Sequence, residues 1–477
     1  MAPPQFIGIF NDVIGPVMRG PSSSHTAGSY HIASTARMLL GEPPVRAVLT
    51  FDRNGSYAET YHTQNADLAF AAGFLGWDLI DRRFDRALES ARAEGRSFRF
   101  RKGILEKADH PNMVRLEIEG RTGRRLDLLA KSTGGGSFWI VEIEGRPVHV
   151  DGKTDVRLRV NGPDGTVLRL SSSPVFYPRK GEPLFLSATD AVRYARRKGI
   201  SLGEAGRLYE SALLGLSVLK ADEEMERRLN IMKESIRAGF LTGSSGLKQL
   251  RPSARKILEE EKKNRLPAGG WPARAGARAL AVMHAANSGA VICAAPTGGS
   301  SGVIPAVLST LEQDFHVGRK ALVRALFAAG AVGAVFARRA TFAAEVAGCQ
   351  VEIGAAGAMA AAAVVEARGG SAAEACHAAA VSLQNTMGSV CDLVAGRCEI
   401  PCHTRNAAAA ASAFLCADLA CGGYGNPIPL DETIDASLAS GRMLPSELRV
   451  TSRGGLAVTP SARALGRKLQ QDKEKSK

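Results

Sequence analysis

Between Ala273 and Ala420 the chain repeats one pattern: apolar, alanine-rich stretches separated by glycine-containing loops. It includes runs such as Ala360 to Ala363 and Ala407 to Ala411. Alanine is the strongest intrinsic helix former, and its small side chain lets neighbouring helix backbones approach closely. The pattern therefore predicts tightly packed helices. The helical signal extends upstream to about residue 185. Ser201 with Glu204 reads as a capping box. Met225, Leu229, Met232 and Ile236 fall on one face of a helix that Gly239 can end. Lys248 to Arg265 is highly charged and reads as an exposed excursion. The charged tail after Ala464 reads as frayed.

The first 150 residues read differently. Ala47 to Phe51, Val114 to Ile118, Leu126 to Ala130 and Ser137 to Ile143 are strand candidates separated by glycine turns, with Gly120 and Gly134 to Gly136 among them. Asp67 to Gly76 reads as a helix. In residues 151–184, Val156, Leu158 and Val160 alternate with charged residues. Gly162 to Gly165 is a strong turn signal, and Val167, Leu168 and Leu170 could pair back as a hairpin. The expected class is α+β. An N-terminal mixed α/β domain (1–150) and a connector (151–184) precede a mostly α-helical domain (185–465) and a charged tail (466–477).

The formal charge of +14 raises the question of nucleic acid. The basic residues, however, are spread along the chain. Denser stretches run from Arg82 to Lys102, Arg251 to Arg265 and Arg467 to Lys477, and only the first interleaves aromatics, at Phe98 and Phe100. That stretch could be a stacking platform, or a strand with one basic and one buried face. A solvated surface that attracts small anions is the favoured reading, so no nucleic-acid partner is expected. The first apolar stretch, Phe6 to Met18, is broken by Asn11, Asp12, Gly15 and Pro16, unlike a secretory signal. The alanine-rich helices carry Glu, Arg or His and read as too interrupted to span a membrane. The expectation is a soluble cytoplasmic protein with no membrane partner.

Three stretches could carry chemistry. Gly20 to Gly28 packs Ser22, Ser23, Ser24, His25 and Thr26 before a possible helix. Hydroxyls and backbone N–H groups at a helix N-terminus suit a carboxylate or phosphate; the same residues would also serve as a capped helix start with a spare histidine. Ala295 to Gly302, with Thr297, Ser300 and Ser301, repeats the theme without the lysine of a Walker motif. It is either a site for a small carboxylate or a glycine-rich helix connection. The missing lysine also counts against a pyridoxal-phosphate enzyme. The third is the cysteine set: all eight fall between Cys293 and Cys421. Cys349, Cys391 and Cys402 sit beside glycine, proline or polar residues. Cys293, Cys376, Cys416 and Cys421 lie in apolar surroundings, where free cysteine behaves as a small hydrophobe. Cys398 forms a C-x3-C pair with Cys402 that could also suggest zinc. Spacing alone matches no compact metal pattern.

Taken together, these stretches resemble the iron–sulfur L-serine dehydratase family over nearly the whole chain. Phe10 to Gly28 looks like the opening of the family's β domain, and His110 to Asn112 and Gly134 to Gly136 look like its later parts. Residues 185–465 look like the catalytic α domain, including Pro296 to Ser300, the cysteine stretches and Gly454 to Pro460. The resemblance implies a [4Fe–4S] cluster held by Cys349, Cys391 and Cys402, with one iron left open as a Lewis acid for the hydroxyl of L-serine. Pyruvate and ammonia would be the products. Ser24 and His25 are then catalytic candidates, His25 as base or as an orienting group. Ser22, Ser23, Thr26, Asp67, Thr297, Ser300 and Ser301 are candidates for holding the substrate, and a homodimer is implied. Two departures matter. Many family members have Thr-Tyr-x-Gly-His-Gly-Thr-Asp where this chain reads Thr60 to Asp67, and Gln64 takes the histidine's place. Either that histidine is dispensable as a base, or His62 substitutes, or the substrate preference has moved, for example to threonine. No cysteine follows Cys421, so the C-terminal inhibitory cysteine of some relatives is not expected. Residues 151–184 are too few for the ACT domain of others.

Overall fold

The computed structural model describes residues 6–106, 108–162, 166–243 and 247–475. The chain is α+β, as the sequence predicts. It divides into two compact units, Pro21–Arg179 and Met1–Gly20 with Lys180–Lys477.

The first unit holds a six-stranded sheet. Its strand order is Ser97–Gly103, Pro44–Asp52, Met113–Gly120, Arg125–Gly134, Ser137–Ile143, Arg146–Val150. Only the first pair is parallel. Period-two alternation sends Leu126, Leu128 and Ala130 into the core, with Ser132 next on the same buried face. Helices Gly28–Leu40 and Ala66–Leu75 cover that face, contributing Ile32, Ala36, Leu39, Phe70 and Phe74. Phe98 and Phe100 pack against the same core while Arg99 and Arg101 point outward. The basic stretch is thus a strand with two unlike faces, not a stacking platform. Gly134, Gly135 and Gly136 all have positive φ and make the turn between two strands. The Gly136 carbonyl lies 2.8 Å from His31 Nδ1.

Residues 151–179 are not a separate connector. Strands Val156–Asn161 and Val167–Ser172 pair as the expected hairpin, and Val160 and Leu170 join the sheet unit's core. The turn at Pro163, Asp164 and Gly165 lies outside the described residues.

The second unit is built on packed helices. Helix Ile353–Ala367 is buried on nearly every side among Arg319–Arg339, Ala372–Gln384 and Cys402–Cys421. Alanines line these contacts. By length and composition, Arg319–Arg339 and Cys349–Ala367 could cross a membrane, contrary to the sequence reading. Their most apolar windows are 78% and 94% buried inside the fold, which accounts for apolar residues all round.

Residues 6–20 belong to this helical unit rather than to the sheet domain. Ile9, Phe10, Val13 and Ile14 enter its core. The Glu210 carboxylate accepts from the Ile9 and Phe10 backbone N–H groups (2.7 and 2.8 Å), and Arg228 donates to the Phe10 carbonyl (2.8 Å). Strand Val17–Arg19 pairs antiparallel with Val291–Cys293.

Four further expectations are corrected. Gly239 lies within helix Val218–Phe240 instead of ending it. A Cβ there would sit 1.6 Å from the Ala281 carbonyl oxygen, so glycine is required for close helix packing. Ala254–Lys262 is a helix inside the charged excursion, and Pro460–Lys475 is a helix where a frayed tail was expected. Ser201 does accept from the Glu204 N–H (3.2 Å); the Glu204 carboxylate turns to Arg207 instead of closing the box.

Candidate functional site

In the helical unit, segments distant in sequence bring thiols together. Cys349 opens a short turn before helix Ile353–Ala367, Cys391 lies in a loop, and Cys402 starts helix Cys402–Cys421. All three are buried and form no disulfide. Ligand atoms of Cys349, Cys391 and Glu352 lie within 4.8 Å of one another. Cys402 stands next to this group. A hydrogen bond with the Cys398 thiol, burial, and the neighbouring Cys349 push the Cys402 thiol well up. A hydrogen bond with Cys349, burial and the nearby Cys402 do the same for Cys391. Cys293 and Cys376 are also buried, and burial raises them to about 11 and about 12. They behave as the small hydrophobes expected of them.

Arg405 ties the group together. Its Nη1 donates to Cys349 Sγ (3.4 Å) and the Val390 carbonyl (2.6 Å), and its Nη2 donates to Asp392 Oδ1 (3.0 Å). Asp392 Oδ2 also accepts from the Leu456 N–H (2.8 Å), which anchors the near-terminal glycine segment. The Cys391 N–H and carbonyl bond Leu448 and Val450 (2.8 Å each). A guanidinium beside this group supplies a counter-charge for the thiolates that metal binding needs.

The Ala295 to Gly302 loop is fastened to the same group. Thr297 donates its hydroxyl to Glu352 Oε1, and the Ser300 hydroxyl lies 2.9 Å from Thr297 Oγ1. Ser301 donates to the Gly298 carbonyl (2.7 Å). The Asn406 amide accepts from the Gly302 N–H (3.0 Å), and its Nδ2 donates to the carbonyls of Gly299 (2.7 Å) and Cys402 (2.9 Å). Burial pushes the Glu352 carboxyl up to about 7, against the Thr297 hydrogen bond. The structure thus brings Thr297, Ser300 and Ser301 into one network with the cysteines. The sequence reading missed Glu352, Asp392, Arg405 and Asn406. For three of them the signal was spacing: Glu352 is three residues after Cys349, and Arg405 and Asn406 are three and four after Cys402, one helical turn away; Asp392 directly follows Cys391.

In the sheet unit, Ser22 to Thr26 form a tight turn into helix Gly28–Leu40. Ser22 Oγ accepts from the His25 N–H (3.2 Å). The turn sits close to the sheet: Ser132 Oγ donates to the Ser24 carbonyl (2.7 Å). A Cβ at position 28 would lie 2.3 Å from Ser132 Oγ. His25 is fully buried. Thr60 spends its hydroxyl proton on the Ser56 carbonyl (2.7 Å), so it accepts from His25 Nε2–H (2.7 Å). His25 Nδ1 is then the acceptor for the Ser24 hydroxyl (3.0 Å). The Tyr57 ring meets His25 edge-on at 5.0 Å. Thr26 donates to the Gln64 carbonyl (3.0 Å). Ser23 is buried, and its carbonyl accepts from the Gly28 N–H. Asp67 is buried and holds His62 Nδ1 at 2.6 Å. Because that nitrogen carries the proton toward the carboxylate, Nε2 is the basic nitrogen of His62.

The donor set fits a soft metal centre: three buried thiols from separate segments, a counter-charge, and an adjacent oxygen donor. A family model described as "Serine dehydratase alpha chain" matches residues 166–457. The "Probable L-serine dehydratase, alpha chain" of Bacillus subtilis (strain 168) is 34% identical over 288 residues, covering 60% of this chain and 95% of its own length. The "L-serine dehydratase, alpha chain" of Peptoniphilus asaccharolyticus is 35% identical over 256 residues, 53% of this chain and 86% of its own. The "L-serine dehydratase" of Streptomyces coelicolor is 29% identical over 463 residues, 92% of this chain and 96% of its own.

Proposed function

The chain belongs to the serine dehydratase alpha-chain family, and from that premise we propose that it removes water from L-serine to give pyruvate and ammonia. The observation that supports this most is the meeting of Cys349, Cys391 and Cys402 with Arg405 and the Thr297 loop. Those three cysteines would hold a [4Fe–4S] cluster. With three protein ligands for four irons, it would supply a Lewis acid for the departing hydroxide.

The chain's own residues do the rest. Ser22 in the sheet unit and Ser300 in the helical unit are the hydroxyls suited to donate to a substrate carboxylate, while Ser24, Thr26 and Thr297 hold their own loops in shape through His25, the Gln64 carbonyl and Glu352. His25 has a partner on each ring nitrogen and is buried, so it orients Ser24 rather than taking a proton. His62 Nε2, with Nδ1 held by Asp67, takes the α-proton and fills the role that Gln64 cannot. The aminoacrylate released tautomerises and hydrolyses without further help. The setting is cytoplasmic, where thiols stay reduced, and the assembly a homodimer. Gln64 motivates a second reading, dehydration of threonine by the same chemistry.

The test is anaerobic purification with iron and sulfide analysis and a pyruvate or 2-oxobutyrate assay on L-serine, L-threonine and D-serine. A brown protein that bleaches in air and turns over L-serine supports the reading. Turnover of threonine alone favours the second reading. A colourless zinc protein inert to all three amino acids overturns both.

A further inference from the structure

The reading above leaves the run His110 to Asn112 without a role. Asn112 is 0% exposed, and neither its Oδ1 nor its Nδ2 has a hydrogen-bond partner. A side-chain amide carries two donors and a two-lone-pair acceptor. Burying all of them unpaired opposes folding, and native proteins rarely leave such groups without a use. The backbone around Asn112 is fixed. Its N–H donates to His110 Nδ1 (3.1 Å), its carbonyl accepts from the Ser132 N–H (3.2 Å), and the preceding Pro111 carbonyl accepts from the Tyr57 N–H (3.4 Å).

Those two partners also brace the Ser24 and His25 turn. Ser132 Oγ donates to the Ser24 carbonyl (2.7 Å), and the Tyr57 ring packs edge-on against His25. The unsatisfied amide is therefore one bonded step from each support of that turn, within the sheet unit.

We propose that Asn112 contacts the substrate, its Nδ2 donating to the α-carboxylate and its Oδ1 accepting from the α-ammonium of an amino acid. This rests on the amino-acid dehydratase reading. An amide offers a donor and an acceptor side by side, which matches an amino-acid zwitterion. A hydroxy acid without the amino group would leave Oδ1 unpaired.

The experiment compares wild-type holoenzyme with Asn112→Leu, which keeps the shape and removes the polar atoms, and Asn112→Ala, which only deletes. Three quantities are read: Tm without ligand, KM and kcat for L-serine, and the rise in Tm caused by L-serine. The expected result is an unchanged or higher ligand-free Tm in Asn112→Leu. In both variants KM rises about tenfold or more with kcat within about threefold, and the L-serine-induced rise in Tm is lost. An amide that instead closes on a buried water gives the opposite: a ligand-free Tm several degrees lower in both variants with KM unchanged. That outcome overturns the proposal. Should wild type bind but not turn over L-serine, the dehydratase reading fails, yet a thermal shift present in wild type and absent in both variants still supports the contact. No shift in any of the three proteins overturns it.

Discussion

Arg405→Leu tests whether the thiol group is held by charge. In the native chain the Arg405 guanidinium bridges Cys349 Sγ, the Val390 carbonyl and Asp392 Oδ1. The Asp392 side chain is 4% exposed and that of Arg405 25%. Removing the cation leaves a buried carboxylate whose remaining donor, among the described residues, is the Leu456 N–H. Breaking a fully buried pair in this way costs about 3–5 kcal/mol. Because water reaches part of Arg405, the expected cost is smaller, about 2–3 kcal/mol. At a few degrees per kcal/mol for a large unit, Tm falls by about 4–12 °C. The assay is thermal melting of the iron-free protein, read for Arg405→Leu, Asp392→Asn and the double variant. Removing the Asp392 charge removes most of the penalty, so the double variant melts closer to wild type than Arg405→Leu does. A single variant within a degree of wild type, or single effects that simply add, would refute the charge clamp.

Other consequences are open to direct measurement. Cys391→Ala loses iron and sulfide on anaerobic purification while Cys376→Ala retains both; equal iron content would undo the ligand assignment. Burial lifts the Glu210 carboxyl to about 7. Between the ordinary value of 4.5 and 7 the folded chain keeps a proton that the unfolded chain has lost, so stability falls as pH rises through that window, by up to about 3 kcal/mol. Glu210→Gln removes the slope, and its Tm relative to wild type climbs from pH 5 to 7; a constant difference contradicts the assignment. Gly239→Ala places a methyl 1.6 Å from the Ala281 carbonyl oxygen, so the two helices must part. The expected loss is about 3 kcal/mol or more, seen as a lower denaturant midpoint, and an unchanged midpoint would mean the packing is looser than described.

Much of this was legible in the sequence because it is local. Strand alternation located Arg125–Gly134 and Ser137–Ile143, and the apolar face Met225, Leu229, Met232 and Ile236 located a helix. The residues missed depend on partners far along the chain. The apolar segment Ile9 to Ile14 looks like the start of the first domain, but its partners are Glu210 and Arg228, some two hundred residues away. Gly239 looks like a terminator because nothing nearby reveals Ala281. Glu352 and Arg405 resemble any surface carboxylate or arginine until Cys349 and Thr297 are placed beside them. The helix Pro460–Lys475 is charged along its length, and such composition is shared by a solvated helix and an unstructured tail.

Mössbauer spectroscopy of the anaerobic, ⁵⁷Fe-enriched protein with and without L-serine tests the central claim most directly. If a cluster held by three cysteines presents an unligated iron to substrate, about one quarter of the iron signal shifts when L-serine is added, and the rest stays put. Iron that responds uniformly or not at all, in a protein that still makes pyruvate, would contradict it.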